Sequence, residues 1–281
     1  FLREGFAVFM GWLAWTMRIR RALALDSIQR AFPERSATEH QRIARLAYDS
    51  MSRAMLESVT SDLLSDEEIA QMVSVVDWKG LDALLAAGKP VLIASAHLGS
   101  WELLAEVMAR RGHVFSAVVR PLSGAFNEWL VRGRKRAGMQ LILQGGAMGN
   151  MLKALRQGRA VVQLIDQALP GPEAVWVPFF GRPASTTPAL SMAALRSGAP
   201  VYFVVAVRQS GAFQMHVDGP FPVPDRPTRR EALQAHAAQL TQVLEGHVRR
   251  HPEQWLWLHR RWKPGTQMAS RSKSPASTSS G

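Results

Sequence analysis

His97 and Glu102 stand five positions apart in the stretch VLIASAHLGSWELLAEVMARRG, residues 91–112, where an apolar run, a small-residue turn and an amphipathic run follow one another. An imidazole with a carboxylate to orient it is the material of a general base, the carboxylate fixing the tautomer and favouring the imidazolium that forms on proton uptake. On one continuous helix five residues would leave the two side chains roughly 140° apart. With His97 at the end of a strand and Glu102 in the first turn of the next helix, the carboxylate can fold back toward the ring. Such a pair carries no nucleophile of its own. Ser100 reads as a helix cap rather than a nucleophile, because its surroundings lack the G-x-S-x-G elbow. No H-E-x-x-H or similar spacing supplies a metal-ligand set, and with no Cys in the chain thiol nucleophiles, thiolate metal sites and disulfides are excluded. On residue types alone, a structural His97 is as good a reading as a catalytic one.

The elements that must position this pair are legible as an alternation. Short β-favouring runs at 91–96, 114–120, 141–143, 160–165 and 201–207 are separated by helical patterns at 101–111, 127–137, 148–156 and 188–196. The expected fold class is therefore α/β, a mostly parallel sheet flanked by helices, with ligands gathering at the carboxyl ends of the strands. Upstream, Ile43, Leu46, Ala47, Met51, Met55 and Val59 recur at helical spacing and predict a helix over 38–59 with one buried stripe. Thr187, Pro188 and Gly198 mark the start and end of one helix, and Thr228 with Glu231 predicts a capping box before a last long one. In QWLWLHRRW, residues 254–262, the alternation predicts a half-buried terminal strand with Trp255, Trp257 and Trp262 in core packing. His40, His236 and His247 lie on helical patterns and are read as solvated.

At 281 residues, 47% of them hydrophobic, the chain has core material in abundance. Lys and Arg number 34 against 22 acidic residues, a net charge of +12, so its partners are expected to be anionic. The basic residues are scattered and no zinc-finger or RNP-type motif accompanies them, which argues against nucleic acid. The first residues, FAVFMGWLAWTMRIRR from Phe6, place about a dozen uncharged residues before a basic cluster and suit an amphipathic, membrane-associating helical region, with Arg18, Arg20 and Arg21 at lipid headgroups; a core helix with a solvated basic end is the equal alternative. No apolar run reaches the roughly 18 residues needed to span a bilayer. The chain opens on Phe1 rather than Met, which leaves room for an anchor or signal segment upstream. The expected organisation is an interfacial helical segment at 1–37, a single domain at 38–263, and a disordered tail at 264–281 whose composition lacks apolar groups to offset ordering entropy.

His97 and Glu102 also match the H-x4-D/E box of the lysophospholipid acyltransferase superfamily. Together with VVRP at 118–121, RGRKRAG at 132–138, LIDQ at 164–167, VPFFGRPASTTPAL from Val177 and PEQWLWLHRRWK from Pro252, the chain resembles the late acyltransferases of lipid A biosynthesis, the lauroyl and myristoyl transferases, over about residues 3–263. The resemblance implies a membrane-surface enzyme, at the cytoplasmic face of a bacterial inner membrane, that moves a fatty acyl chain from an acyl carrier protein thioester to a hydroxyl of a lipid A precursor or related glycolipid. The thioester is a co-substrate and no cofactor is implied. Under the carry-over His97 is the general base and Glu102 orients it; Arg134 matches a functional arginine, suited to clamping a substrate or phosphopantetheine phosphate, and Asp166 matches a functional aspartate that would hold that arginine or a sugar hydroxyl. Arg120 lies in a family-like segment and ranks below them. Two other readings stand beside this one: an acyltransferase using acyl-CoA or acting on another lipid such as a phosphatidylinositol mannoside, and a nonenzymatic lipid- or nucleic-acid-binding protein with a structural His97.

Overall fold

A computed structural model describes residues 2–60, 63–120, 128, 131, 132, 134, 135, 138–209 and 211–262. The expected tail and most of the helix expected at 127–137 lie outside the described residues. Three helices come first: α1 (Leu2–Thr16), α2 (Arg21–Ala31) and α3 (Ala37–Thr60). There follow α4 (Asp66–Met72), β1 (Val73–Val75), α5 (Leu81–Ala86), β2 (Val91–Ser95), α6 (Trp101–Arg110), β3 (Phe115–Val119) and β4 (Gln140–Leu143). The second half is α7 (Ala147–Arg156), β5 (Ala160–Leu164), β6 (Val175–Phe179), β7 (Arg182–Thr186), α8 (Ala189–Ser197), β8 (Val201–Gln209), β9 (Ala212–Asp218) and α9 (Arg229–Arg250).

Among the described residues seven strands form one sheet in the order β1-β9-β8-β2-β5-β3-β4, parallel at every pairing except β8 with β9. The expected mostly parallel α/β sheet is what the chain forms. Alternation along β2 shows why both faces are covered: Leu92 and Ala94 point into one core with α2, α3, α7, α8 and α9, while Val91 and Ile93 point into the other with α4, α5 and α6. All five residues of β2 are buried, as a central parallel strand requires. β6 and β7 make a separate antiparallel hairpin, which the sequence reading did not anticipate; it forms around Phe180 and Gly181, both at positive φ.

Several local expectations are met and others corrected. Thr228 and Glu231 form the capping box of α9, and Gly198 ends α8 in the left-handed region. The buried stripe of α3 runs through Ile43, Ala44, Ala47, Tyr48 and Ala54, whereas Leu46 and Met55 are exposed. α1 packs closely on α3 through Gly11, where a Cβ would fall 2.9 Å from the Asp49 Cα. The terminal strand expected from QWLWLHRRW is instead a 3-10 turn (Pro252–Gln254) followed by one antiparallel bridge, Leu98 with Trp255. Trp255 and Trp257 are nonetheless core residues. The three histidines read as solvated are buried: His40 Nε2 meets the Phe32 carbonyl, His236 lies between the Ser191 hydroxyl and the Phe221 carbonyl, and His247 Nε2 meets Asp218 at 2.7 Å. His236 and His247 lie at helical spacing on the one buried stripe of α9, with Leu233, Leu240 and Leu244, so the pattern itself places them on the covered face, and only the polarity of their rings suggested otherwise.

Candidate active site

Parallel pairing of β2 with β5 sets the site. The register matches Val91 to Ala160 and Ser95 to Leu164, and two residues farther along each strand it brings His97 beside Asp166. His97 Nδ1 lies 2.9 Å from Asp166 Oδ1, and the His97 backbone N–H donates to Asp166 Oδ2 at 3.0 Å. Trp255 Nε1 donates to the same Oδ2 at 3.0 Å, so both carboxylate oxygens are committed. The Asp166 side chain is 2% exposed and that of His97 18%, leaving an open face on a ring that otherwise rests edge-on against Trp101, with 5.0 Å between ring centroids.

The loop bearing His97 is pinned along its length. The His97 carbonyl accepts from Leu256 N–H, Gly99 N–H donates to the Gln254 carbonyl, and Ser100 N–H donates to the Ala206 carbonyl. Gly99 has φ 60°, and a Cβ there would stand 1.9 Å from the Ala206 oxygen, so only glycine fits. Ser100 begins α6 without a side-chain cap bond, and its buried hydroxyl has no partner among the described residues. The reading of Ser100 as a cap is therefore corrected, in that its hydroxyl caps nothing.

Glu102 does not serve as the ring's partner. Its carboxylate is gripped by the Arg134 guanidinium, Nε donating to Oε2 at 3.2 Å and Nη2 to Oε1, and Trp101 Nε1 also donates to Oε1. The carboxylate that orients His97 is that of Asp166, and the arginine that Asp166 was expected to hold is held by Glu102. The expected partners are thus exchanged. The physical reason is register: Asp166 is carried on the strand bonded to β2, a neighbour no local spacing reveals, while the first turn of α6 aims Glu102 at Arg134. Arg120 lies exposed just past the carboxyl end of β3, on the same edge of the sheet.

Electrostatics follow this arrangement. Burial pulls the His97 pKa down, but the Asp166 charge and hydrogen bond, helped through space by Glu102, outweigh it and hold the ring above its ordinary 6.5. Burial works to raise the Asp166 pKa, and the neighbouring His97, its backbone N–H and Trp255 overcome this and keep the carboxyl below its ordinary 3.8. The pair is built to hold a proton on the ring and a negative charge beside it.

An apolar cavity runs between α6 and the sheet; neither His97 nor Asp166 lines it, and it adjoins the pair through Trp101, on which the His97 ring rests. Trp101, Glu102 and Arg134 stand on its wall with Ser95, and its apolar walls include Ile93, Met108, Phe115, Ala117, Met139 and Val204. It encloses about 640 Å³ of space between atoms, part of it open to solvent. Among the described residues no three His, Asp or Glu side chains are grouped as a metal ion would require.

Sequence reasoning missed Trp255 as a site residue. The signal that could have found it is polar: an indole N–H in a buried position needs an acceptor. Here that acceptor is the Asp166 carboxylate.

Residues 2–264 match the family described as bacterial lipid A biosynthesis acyltransferase. The chain is 27% identical over 252 residues to a lipid A biosynthesis palmitoleoyltransferase of Escherichia coli, covering 88% of this chain and 80% of that one. A lipid A biosynthesis lauroyltransferase of the same organism is 27% identical over 258 residues, with 90% and 83% covered. A lipid A biosynthesis myristoyltransferase is 25% identical over 249 residues, with 85% and 73% covered.

Proposed function

Because this chain belongs to the family of bacterial lipid A biosynthesis acyltransferases, and is by that membership an acyltransferase, we propose that it moves a fatty acyl group from a carrier-protein thioester to a hydroxyl of a lipid A precursor, with His97 as general base and Asp166 as its orienting carboxylate. The observation that carries this reading is the His97–Asp166 pair beside an apolar cavity. The Asp166 carboxylate accepts the Nδ1–H, which leaves the ring's lone pair on Nε2. That nitrogen takes the proton of the acceptor hydroxyl as its oxygen attacks the thioester carbonyl. The carbonyl oxygen gathers negative charge, and this reading assigns it to the first-turn N–H groups of α6, which have no helical carbonyl to bond. Collapse of the adduct expels the thiolate, which takes up the proton from the imidazolium and leaves the ring neutral. No acyl-enzyme is formed.

Glu102 and Arg134 then form a rigid rim at the cavity mouth. Arg134 keeps donors beyond those given to Glu102, and these suit a phosphate of the carrier's prosthetic arm or of the acceptor. Arg120 adds positive charge nearby. A protein of net charge +12 also draws an acidic carrier protein by long-range attraction, which favours that donor over acyl-CoA.

The lipid acceptor sits in a membrane, and the N-terminal helices offer a way to reach it. Phe6, Phe9, Met10, Trp12, Met17 and Ile19 are exposed, with Arg18, Arg20 and Arg21 close by in sequence. No described helix is long and apolar enough to cross a membrane, and the proposal is that this face lies in the headgroup region of an anionic leaflet, the cytoplasmic face of the inner membrane. One assay tests donor, acceptor and surface together. Lipid A precursor is presented in neutral or anionic phospholipid vesicles, with either acyl carrier protein thioester or acyl-CoA. Acylated product is expected from the carrier thioester and faster on anionic vesicles; product from acyl-CoA alone, or a rate blind to vesicle charge, would overturn those parts of the reading.

The cavity would house the acyl chain. From Val119 to Phe115 it follows the five residues of β3, and the steps between them span about 13 Å at a strand's rise per residue. With carbon–carbon bonds of about 1.5 Å in a zigzag, each methylene advances about 1.25 Å, so that depth holds roughly ten methylenes. A medium-length saturated chain of about ten to twelve carbons fits. Ala117 lies midway down this wall, and Ala117→Leu should fill the path and shift preference toward donors shorter by about two to four carbons, at little cost to folding. Competition between donors of different length, read by mass of the lipid product, checks it; an unchanged product profile would remove the acyl chain from this cavity.

A further inference from the structure

Behind Asp166, the last described segment of the chain makes three contacts in a row. Trp255 donates to the Asp166 carboxylate, His259 Nε2 accepts the Ala168 N–H at 3.1 Å, and Arg261 donates from Nη1 to the Ser185 carbonyl at 2.6 Å and from Nη2 to the Thr186 hydroxyl at 2.7 Å. Ser185 in turn donates its hydroxyl to the Leu169 carbonyl. The turn that carries Asp166 is therefore gripped at residues 166 and 168 directly, and at 169 through Ser185.

Arg261 is unusual among these. It is 1% exposed, both its hydrogen-bond partners are neutral, and its Nε has no partner among the described residues. Burial lowers its pKa to about 10, which leaves it charged at neutral pH, and the carboxylate that attracts it through space is Asp166. A guanidinium kept in the interior without a direct counter-ion is costly. Its presence makes sense as the fixed positive charge that offsets a buried negative one.

We infer that Trp255 and Arg261 are positioning residues for the base: acting through Asp166, they hold the carboxylate in one place and temper its pull on the His97 imidazolium, so that the ring can give up its proton near neutral pH. Removing either leaves the carboxylate a stronger attractor, and the imidazolium is then held to higher pH. The sign follows from the charge of Arg261 and from the positive end of the Trp255 N–H dipole, since taking positive potential away from the pair stabilises the cation. The other groups around His97 are Glu102 on α6, Arg134 in the helical residues after β3, and His259, which Arg20 faces from the N-terminal region. None of these is altered by the two substitutions.

The inference rests on the proposed function only for its consequence, because the coupling belongs to the resting protein. It is tested by NMR titration of the imidazoles in the full chain, with His97 assigned among the eight histidines by its loss in His97→Gln. Arg261→Gln, which keeps a polar group against Ser185 and Thr186, should raise the His97 midpoint by about 0.5–1 unit, and Arg261→Lys by less because the charge stays. Trp255→Phe, which keeps the ring packing, should raise it by roughly 0.3–0.5 unit. If Arg261→Gln does not fold, Trp255→Phe decides. A midpoint that stays or falls in the folded variants overturns the inference, since a merely structural role would lower melting temperature without moving it. Raised midpoints in a protein that transfers no acyl group would keep the inference and sink the proposed function instead.

Discussion

His97→Ala is expected to reduce acyl transfer by about 10²–10⁴-fold while leaving the protein folded. In the proposed reaction the attacking group is an ordinary hydroxyl that must lose its proton as it bonds to the carbonyl, and the substitution removes the base assigned to take it. In free energy this is about 3–5 kcal/mol of transition-state stabilisation. Folding should suffer little, because the His97 ring is partly open and the loop is held by backbone bonds to Gln254, Leu256 and Ala206 that the substitution leaves in place. The check is initial rate with carrier thioester and lipid acceptor, beside intact protein mass. Near-full activity would remove His97 from the chemistry, and a stable acyl adduct on Ser100 would show that the chain has a nucleophile.

Asp166→Asn should be nearly as damaging, about 10²–10⁴-fold, and for a reason the hydrogen bonds dictate. Two donors, the His97 N–H and the Trp255 indole, fix the carboxylate oxygen they share. An asparagine there must turn its carbonyl to these donors and its NH₂ to His97 Nδ1. Nδ1 becomes an acceptor, the ring proton moves to Nε2, and the atom meant to accept a proton no longer can. Glu102→Gln is expected to cost less and to appear largely in KM, because Glu102 bonds Arg134 and Trp101 and reaches the ring only through space. Steady-state kinetics of the two variants side by side decide the matter, and a larger loss of kcat in Glu102→Gln than in Asp166→Asn would restore Glu102 as the orienting carboxylate.

Much of this architecture was legible in local pattern. The apolar run of β2, the turn bearing His97 and the amphipathic start of α6 stand in the sequence as they stand in the fold, because each is fixed by residues within a few positions of one another. The choice of partner for His97 was not. Two carboxylates were in view, and Glu102 is the nearer in sequence, but β5 is inserted beside β2 only after β3 and β4 have been laid down, so Asp166 arrives by strand register from 69 residues away. Trp255 and Arg261 were hidden for a similar reason. The alternation of QWLWLHRRW describes burial well enough and predicts a strand, yet the segment is a turn and a single bridge whose polar atoms reach into Asp166, Ser185 and Thr186. A charged residue buried in that way breaks the pattern that sequence reading relies on.

The claim at the centre is that His97 is a base whose affinity for its proton is set by Asp166, and the dependence of kcat/KM on pH measures this directly. The base works only when neutral, so activity appears as pH rises through the pKa of the free enzyme. That pKa is raised above 6.5, with Asp166 the main cause of the raise. Wild type should therefore show its acid limb above pH 6.5, and in Asp166→Asn the limb of whatever activity remains should fall to lower pH as the raising charge is lost. An acid limb that keeps its position in Asp166→Asn would contradict the pairing on which this reading of the site depends.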